Sequence, residues 1–270
     1  MDEFAQATLR RLGRAAFGCI GGLLVVFIDI AHGFARGEAH RVHLLPPLAT
    51  ARVENWLIPG SSGASVWLQR VVPERIGLPI ATQLWWSWFY LPFILCSVVL
   101  AVLGPRHLLR ILLLFTATLF AADLIFALVP SLPPWMADGT PRLIAGTTGS
   151  ATTLDPNPTA AFPSLHVAVP FVLALWFWRH ERPGCRLAGR VLMLRTVLVF
   201  WAVVYTGEHF ALDGVGGIAV GAAVYFVLDR FGLAQERRAT DIHTPVGIGQ
   251  HGPVPLRFDE DDEYAPAAAA

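Results

Sequence analysis

Repeated apolar runs of near-membrane length leave this chain few ways to fold. Ala15 to Ile30, Leu84 to Leu103, Leu108 to Val129, Pro163 to Trp178, Arg190 to Tyr205 and Leu212 to Phe231 are each long and largely uncharged. Crossing about 30 Å of hydrocarbon takes roughly 20 helical residues. The composition points the same way, with 54% hydrophobic residues, 15% charged and a mean hydropathy of +0.54. The fold class predicted is all-α: a polytopic membrane helix bundle of about six transmembrane helices, multi-pass in the cell membrane and in contact with membrane lipids.

Between and around these runs the chain changes character. Residues 1–14 are polar, with Arg10, Arg11 and Arg14, and are expected to be a cytoplasmic N-terminus. A charged-then-apolar start is also how a signal peptide begins, but Asp29 ends the run and no small-x-small site follows, so a retained first span is expected. Gly33 to Gln83 contains Pro46-Pro47, Pro59-Gly60 and Pro73, with apolar pieces too short to cross. Leu48 to Ile58 and Ala64 to Val72 are predicted to be interfacial amphipathic helices, with Trp56 and Trp67 at headgroup level. Residues 15–231 form the membrane-embedded domain. Residues 232–270, ending in Asp259 to Glu263 and an alanine run, read as a disordered cytoplasmic tail.

Arginine placement sets the orientation. Arg10, Arg11, Arg14, Arg106, Arg110, Arg179, Arg182, Arg186, Arg190, Arg230, Arg237 and Arg238 fall at one set of ends, whereas the loop Pro130 to Phe162 holds only Arg142. Both termini are therefore expected in the cytoplasm, with that loop outside. Arg36, Arg41, Arg52, Arg70 and Arg75 run against the bias, in a long loop that translocates with less regard to charge. The net charge is zero, so no basic field argues for nucleic acid. The 20 basic residues are all Arg, which reads as coding bias. Cys19, Cys96 and Cys185 form no Cys-x-x-Cys pair and are expected to be packing residues.

Chemistry concentrates in two stretches, Ala161 to His166 and Tyr205 to Asp213, each ending a polar loop and opening an apolar run. One hairpin separates them, so both come to the same membrane side. His209 and Asp213 are four apart, which lets the carboxylate hold one imidazole nitrogen and leave the other as nucleophile or base. In Pro163-Ser164-Leu165-His166, proline precedes the helix, Ser164 stands where it can cap, and His166 falls in the first turn. Unpaired N–H groups at such a terminus suit a phosphate.

Together these motifs resemble the type 2 phosphatidic acid phosphatase superfamily, which carries Pro-Ser-x-His followed across one hairpin by His-x-x-x-Asp. Phe162-Pro163-Ser164-Leu165-His166 and the lead-in Pro133-Pro134-Trp135 are most similar to its inositol phosphorylceramide synthase-like, or inositolphosphotransferase, branch. The resemblance covers about Pro130 to Phe231, the motif-bearing part 130–231 of the domain. It implies a membrane lipid phosphatase or phosphotransferase, acting on a phosphate-bearing lipid at an extracytoplasmic site, with water or an inositol-like alcohol as acceptor. On that reading His209 attacks phosphorus, Asp213 orients it, His166 protonates the leaving oxygen, and Ser164 with nearby N–H groups holds the phosphoryl oxygens. No metal and no cofactor are expected.

Two features depart from that family. Its first motif, Lys and six residues on Arg-Pro, is missing, since the chain has no Lys and Arg182-Pro183 lies after the Ser motif; Ala202 and Val203 stand where Ser-Arg normally precedes the histidine. Arg142 is the expected substitute as a phosphate ligand. The absent cations favour a rival reading, a non-catalytic transporter or assembly subunit that retains the fold, in which the two histidines would be dispersed or blocked. Asp29 and Asp123 lie in apolar runs, where carboxylates are expensive, and are left outside the site. Gly217-x-x-x-Gly221 is expected to serve close helix packing, and Trp85, Trp86, Trp88, Trp176 and Trp178 to be interface anchors.

Overall fold

The computed structural model describes residues 3–39, 41–42, 44–57, 63–144 and 157–234. The tail expected to be disordered lies outside the described residues except for its first three. Among the described residues there are nine helices: α1 (Glu3–Ala39), α2 (Thr50–Leu57), α3 (Gly63–Val71), α4 (Glu74–Leu103), α5 (Pro105–Leu128), α6 (Pro134–Ala137), α7 (Leu165–Arg179), α8 (Pro183–Tyr205) and α9 (Ala211–Arg230). One isolated bridge, Ser131 with Ala160, is the sole β-type pairing there.

All six expected runs are helical, but three begin or end elsewhere, α8 already starting at Pro183 rather than Arg190. α1 continues through Ala39, and its membrane-length apolar part is Ala16–Ala39 rather than Ala15 to Ile30. Past Asp29, the expected end, the polar residues of the extension face protein: His32 pairs with Asp123 of α5, and Arg36 exchanges hydrogen bonds with Asn157. α4 starts at Glu74, ten residues before the expected Leu84, and bends by 53° between Glu74–Trp88 and Tyr90–Leu103. Pro92 has no N–H to offer the Trp88 carbonyl one turn back, which weakens the helix at that joint.

Among the described residues four helical segments are long and apolar enough to cross by length and composition, and the bent α4 makes up to five, where about six are expected. The sixth run, α7, is apolar but shorter than the rest. Its 15 residues reach roughly 22 Å, short of the hydrocarbon thickness. Ten of those residues are buried, and a helix apolar all round is a core helix. Jacketed by its neighbours, α7 can still link the two ends of the bundle without matching the lipid thickness itself.

Glycines set how closely α9 approaches it. A Cβ on Gly217 would lie 2.4 Å from the Ser164 carbonyl oxygen, and one on Gly221 2.8 Å from that of Ala168. The four-residue spacing therefore docks α9 directly on the α7 backbone. Across the end of the bundle lie α2 and α3, close to the predicted segments, with Trp56 and Trp67 exposed. Glu54 of α2 is buried, and its two oxygens accept from Ala64 N at 3.0 Å and Leu212 N at 3.3 Å, capping α3 and α9 together. Gln69 of α3 donates to the carbonyls of Pro141 and Tyr205.

Candidate active site

The site is assembled where α7 and α9 begin and α8 ends. Ser164 is the N-cap residue of α7, and its N–H donates to the Asp213 carbonyl at 2.9 Å, tying the two motifs together through backbone. Contrary to expectation, its side chain makes no cap bond. The hydroxyl is fully buried and finds no protein partner.

His166, the second residue of α7, is held by aromatic rings. Trp85 stacks on it at 5.6 Å between centroids and 25°, and Trp88 lies tilted at 5.2 Å. Both tryptophans, expected as interface anchors, are thus walls of the site; Trp86 beside them is exposed. The His166 ring meets that of His209 at 5.8 Å and 63°, and its Nε2 is buried without a protein partner.

His209 is delivered by a tight exit from α8. Gly207 has φ +78° and lies against Pro141, where a Cβ would come within 2.7 Å of the carbonyl oxygen, so only glycine turns the chain there without strain. The N–H groups of Glu208 and His209 both donate to the Val203 carbonyl at 3.1 Å, which fixes the loop. His209 Nδ1 then lies 3.5 Å from Asp213 Oδ2, an ion-pair distance longer than a hydrogen bond. That oxygen already accepts from Phe210 N at 2.8 Å as a helix cap. Asp213 is fully buried, and its Oδ1 has no protein partner.

The structure therefore brings His166, His209, Asp213 and Ser164 together. Arg142 is placed next to them but engaged: Nε and Nη2 donate to the two Glu208 oxygens at 2.5 and 3.1 Å, and the guanidinium lies 4.6 Å over the Trp135 ring. Its fork faces the residue before His209 rather than an open space. Asp123, left out of the site, is paired with His32 at 3.0 Å, and both are buried. Ala202 and Val203, where the family has Ser-Arg, are fully buried apolar contacts.

Sequence reasoning missed Glu54, Glu208 and Arg195. Glu54 lies in the segment read as an interfacial amphipathic helix and Glu208 inside the second motif stretch, but neither matches a motif position that would single it out. Arg195 carried a usable signal, a charge inside an apolar run, which is the same signal that marked Asp29 and Asp123. Its Nη2 donates to the Ser87 hydroxyl of α4. Among the described residues no three His, Cys, Asp or Glu side chains are grouped as a metal would require.

Comparison with known proteins agrees with the motifs. The pattern of the PAP2 superfamily matches residues 52–227, from α2 nearly to the end of α9 and without α1. Over 61 residues, 23% of the chain, it is 39% identical to YbjG of Escherichia coli (strain K12), a protein named as a proposed undecaprenyl-diphosphatase. The matched stretch is 29% of that relative's length. No solved structure matches. Neither similarity favours the inositol phosphorylceramide synthase-like branch over the rest of the superfamily.

Proposed function

Because the chain belongs to the PAP2 superfamily, we propose that it removes phosphate from a phosphate-bearing membrane lipid through a phosphohistidine on His209. The observation that carries this is the convergence of two imidazoles, 5.8 Å between ring centroids, among buried polar atoms that the protein leaves unpartnered: Ser164 Oγ, His166 Nε2 and Asp213 Oδ1. A scaffold that had lost its chemistry would have no reason to keep such atoms buried, since each costs about 1–3 kcal/mol. This convergence also argues against the transporter or assembly-subunit reading, which expects the pair dispersed.

Asp213, beside Nδ1, orients His209 so that Nε2 attacks phosphorus. As the N–P bond forms, the bond from phosphorus to the lipid oxygen breaks, and His166 gives that oxygen its proton. Ser164 Oγ and the first N–H groups of α7 hold the phosphoryl oxygens as charge spreads over them. Water then attacks phosphorus, His166 takes its proton, and phosphate leaves His209. An alcohol in the place of that water would make the same site a phosphotransferase. We place the site on the extracytoplasmic side from the Arg distribution.

The test is an assay of the purified protein on phosphatidic acid, phosphatidylglycerophosphate, phosphatidylinositol and polyprenyl mono- and diphosphates, the last suggested by the name of the YbjG relative. Release of phosphate that an added alcohol does not divert supports hydrolysis. Formation of a phosphoalcohol supports transfer, and no turnover of any of them overturns the proposal.

A further inference from the structure

Ser65 of α3 is 2% exposed, and its hydroxyl finds no partner among the described residues. A buried hydroxyl without a bond is destabilising, so the folded protein alone gives no reason to keep it. Ser65, Leu68 and Gln69 fall at i, i+3 and i+4 on the face of α3 turned to the protein, while Trp67 on the other side is exposed.

That face lies across the loop that carries His209. At one end the Glu54 carboxylate accepts from Ala64 N at 3.0 Å and from Leu212 N at 3.3 Å, so the residue before Ser65 and the first turn of α9 share one anion. At the other end Gln69 Nε2 donates to the Tyr205 carbonyl at 2.9 Å, where α8 stops. Tyr205 and Leu212 bracket the loop, and Ser65 stands between the two ties. Ala64 and Leu68 pack, as Ala211 does, on the cluster of Val167, Val203 and Val204, and Val167 directly follows His166. The polar side chains of the loop are engaged elsewhere: Thr206 Oγ1 donates to the carbonyls of Ala202 and Val203, and Glu208 takes Arg142. The Ser65 hydroxyl thus joins Ser164 Oγ and His166 Nε2 as a buried polar atom at the motif end that no described residue bonds.

We propose that α3 forms one wall of the phosphate site and that the Ser65 hydroxyl donates to a phosphoryl oxygen of the bound lipid phosphate. The inference rests on the phosphatase reading above and adds to it a substrate-binding residue from outside the two motifs. A phosphoryl group presents three oxygens over which its charge spreads, more than Ser164 and the start of α7 approach from one side. A hydroxyl on the cover bonds one of them from another direction. Donation to an anion is stronger than donation to a neutral group, so the hydroxyl contributes to binding what it withholds from folding.

The experiment uses purified full-length protein in detergent, with the lipid phosphates named above as substrates and inorganic phosphate as a ligand. Ser65→Ala is expected to lower kcat/KM about tenfold or more, the loss of one hydrogen bond to a charged group. Its Tm without phosphate should stay level or rise, because the variant removes a hydroxyl that the folded protein does not bond. Ser65→Thr keeps the hydroxyl and should recover part of the activity. Ser97→Ala is the matched control: that hydroxyl is also buried without a described partner, but in the half of α4 that runs to Gly104, away from the motifs, and activity should be unchanged. Inorganic phosphate should raise the Tm of wild-type protein, a readout that needs no turnover, and Ser65→Ala should weaken that rise. Wild-type protein that turns over no lipid phosphate would sink the phosphatase reading, while the melting series still judges Ser65. Wild-type kinetics and an undiminished phosphate effect in Ser65→Ala would overturn the inference. So would a loss of activity that comes with a lower Tm, the mark of a structural hydroxyl.

Discussion

Asp213 Oδ2 accepts from Phe210 N and lies 3.5 Å from His209 Nδ1. The same carboxylate thus caps α9 and aims the imidazole, which explains why it can be wholly buried. In Asp213→Asn the amide oxygen can still cap, so the fold is expected to survive while His209 loses its anionic partner. Activity should fall by up to about 10⁴-fold, as when a triad loses its carboxylate. The two histidines should separate more sharply. His209→Ala is expected to form no phosphoryl-enzyme from any substrate, whereas His166→Ala should turn over a lipid ester about 10²–10⁴-fold more slowly yet still be labelled by an activated aryl phosphate, whose leaving group needs no proton. Acid-labile, base-stable label on protein is the measurement, and label on His209→Ala would reverse the assignment. Arg142 invites a different comparison. If it acts by holding Glu208 and the loop before His209, Arg142→Lys and Glu208→Gln should lower kcat alike; a rise in KM for Arg142→Lys alone would restore it as a phosphate ligand. His166, His209 and Asp213 were legible in sequence because helical spacing carried them. Arg142 was legible as a residue but not in its engagement, because Glu208 lies 66 positions away in sequence.

At the scale of elements, periodicity and hydropathy located every long helix but misjudged several ends. Hydropathy averages over all faces, so it ended α1 where polar residues turned inward to Asp123 and Asn157, and started α4 late because its first turns are mixed. It did not distinguish α7, which at 15 residues, ten of them buried, is the shortest of the six and is jacketed by its neighbours. The small residues were read correctly for a physical reason: a glycine pair at i,i+4 has few uses in an apolar helix besides close approach. Gly217→Ala tests that contact. Its methyl would meet the Ser164 carbonyl oxygen at 2.4 Å, backbone that cannot step aside without moving α7. Overpacking of this kind costs about 1–3 kcal/mol. Lower thermal stability is expected together with loss of activity, because the shift displaces Ser164 and His166. Gly184→Ala, where a Cβ meets nothing within 4 Å, should leave both unchanged. Equal behaviour of the two variants would remove the α7–α9 contact from the account of the site.

At the scale of the whole molecule, the alternation of helices puts the Gly104 turn and the α7–α8 connection at one end, and the two motifs, the Pro133–Asp138 segment and the α2–α3 cover at the other. The motif end also carries Arg36, Arg41, Arg52, Arg70, Arg75 and Arg142, so the arginine bias is not one-sided. It is concentrated instead in the two short connections opposite the site, through Arg106, Arg110, Arg179, Arg182, Arg186 and Arg190. Short connections are where positive charge governs insertion, whereas long segments cross with less regard to it. Orientation should therefore follow the short ones, with those connections in the cytoplasm and the histidines outside. Two exposed positions report on this: Ala137, at the end of the short helix on the motif side, and Gly184, at the start of α8. In a variant lacking Cys19, Cys96 and Cys185, a cysteine introduced by Ala137→Cys is expected to react with a membrane-impermeant maleimide on intact cells. One introduced by Gly184→Cys should react only after the membrane is opened. The reverse pattern would place the active site in the cytoplasm and would mean that the long, arginine-bearing segment around α2 and α3, not the short turns, set the topology.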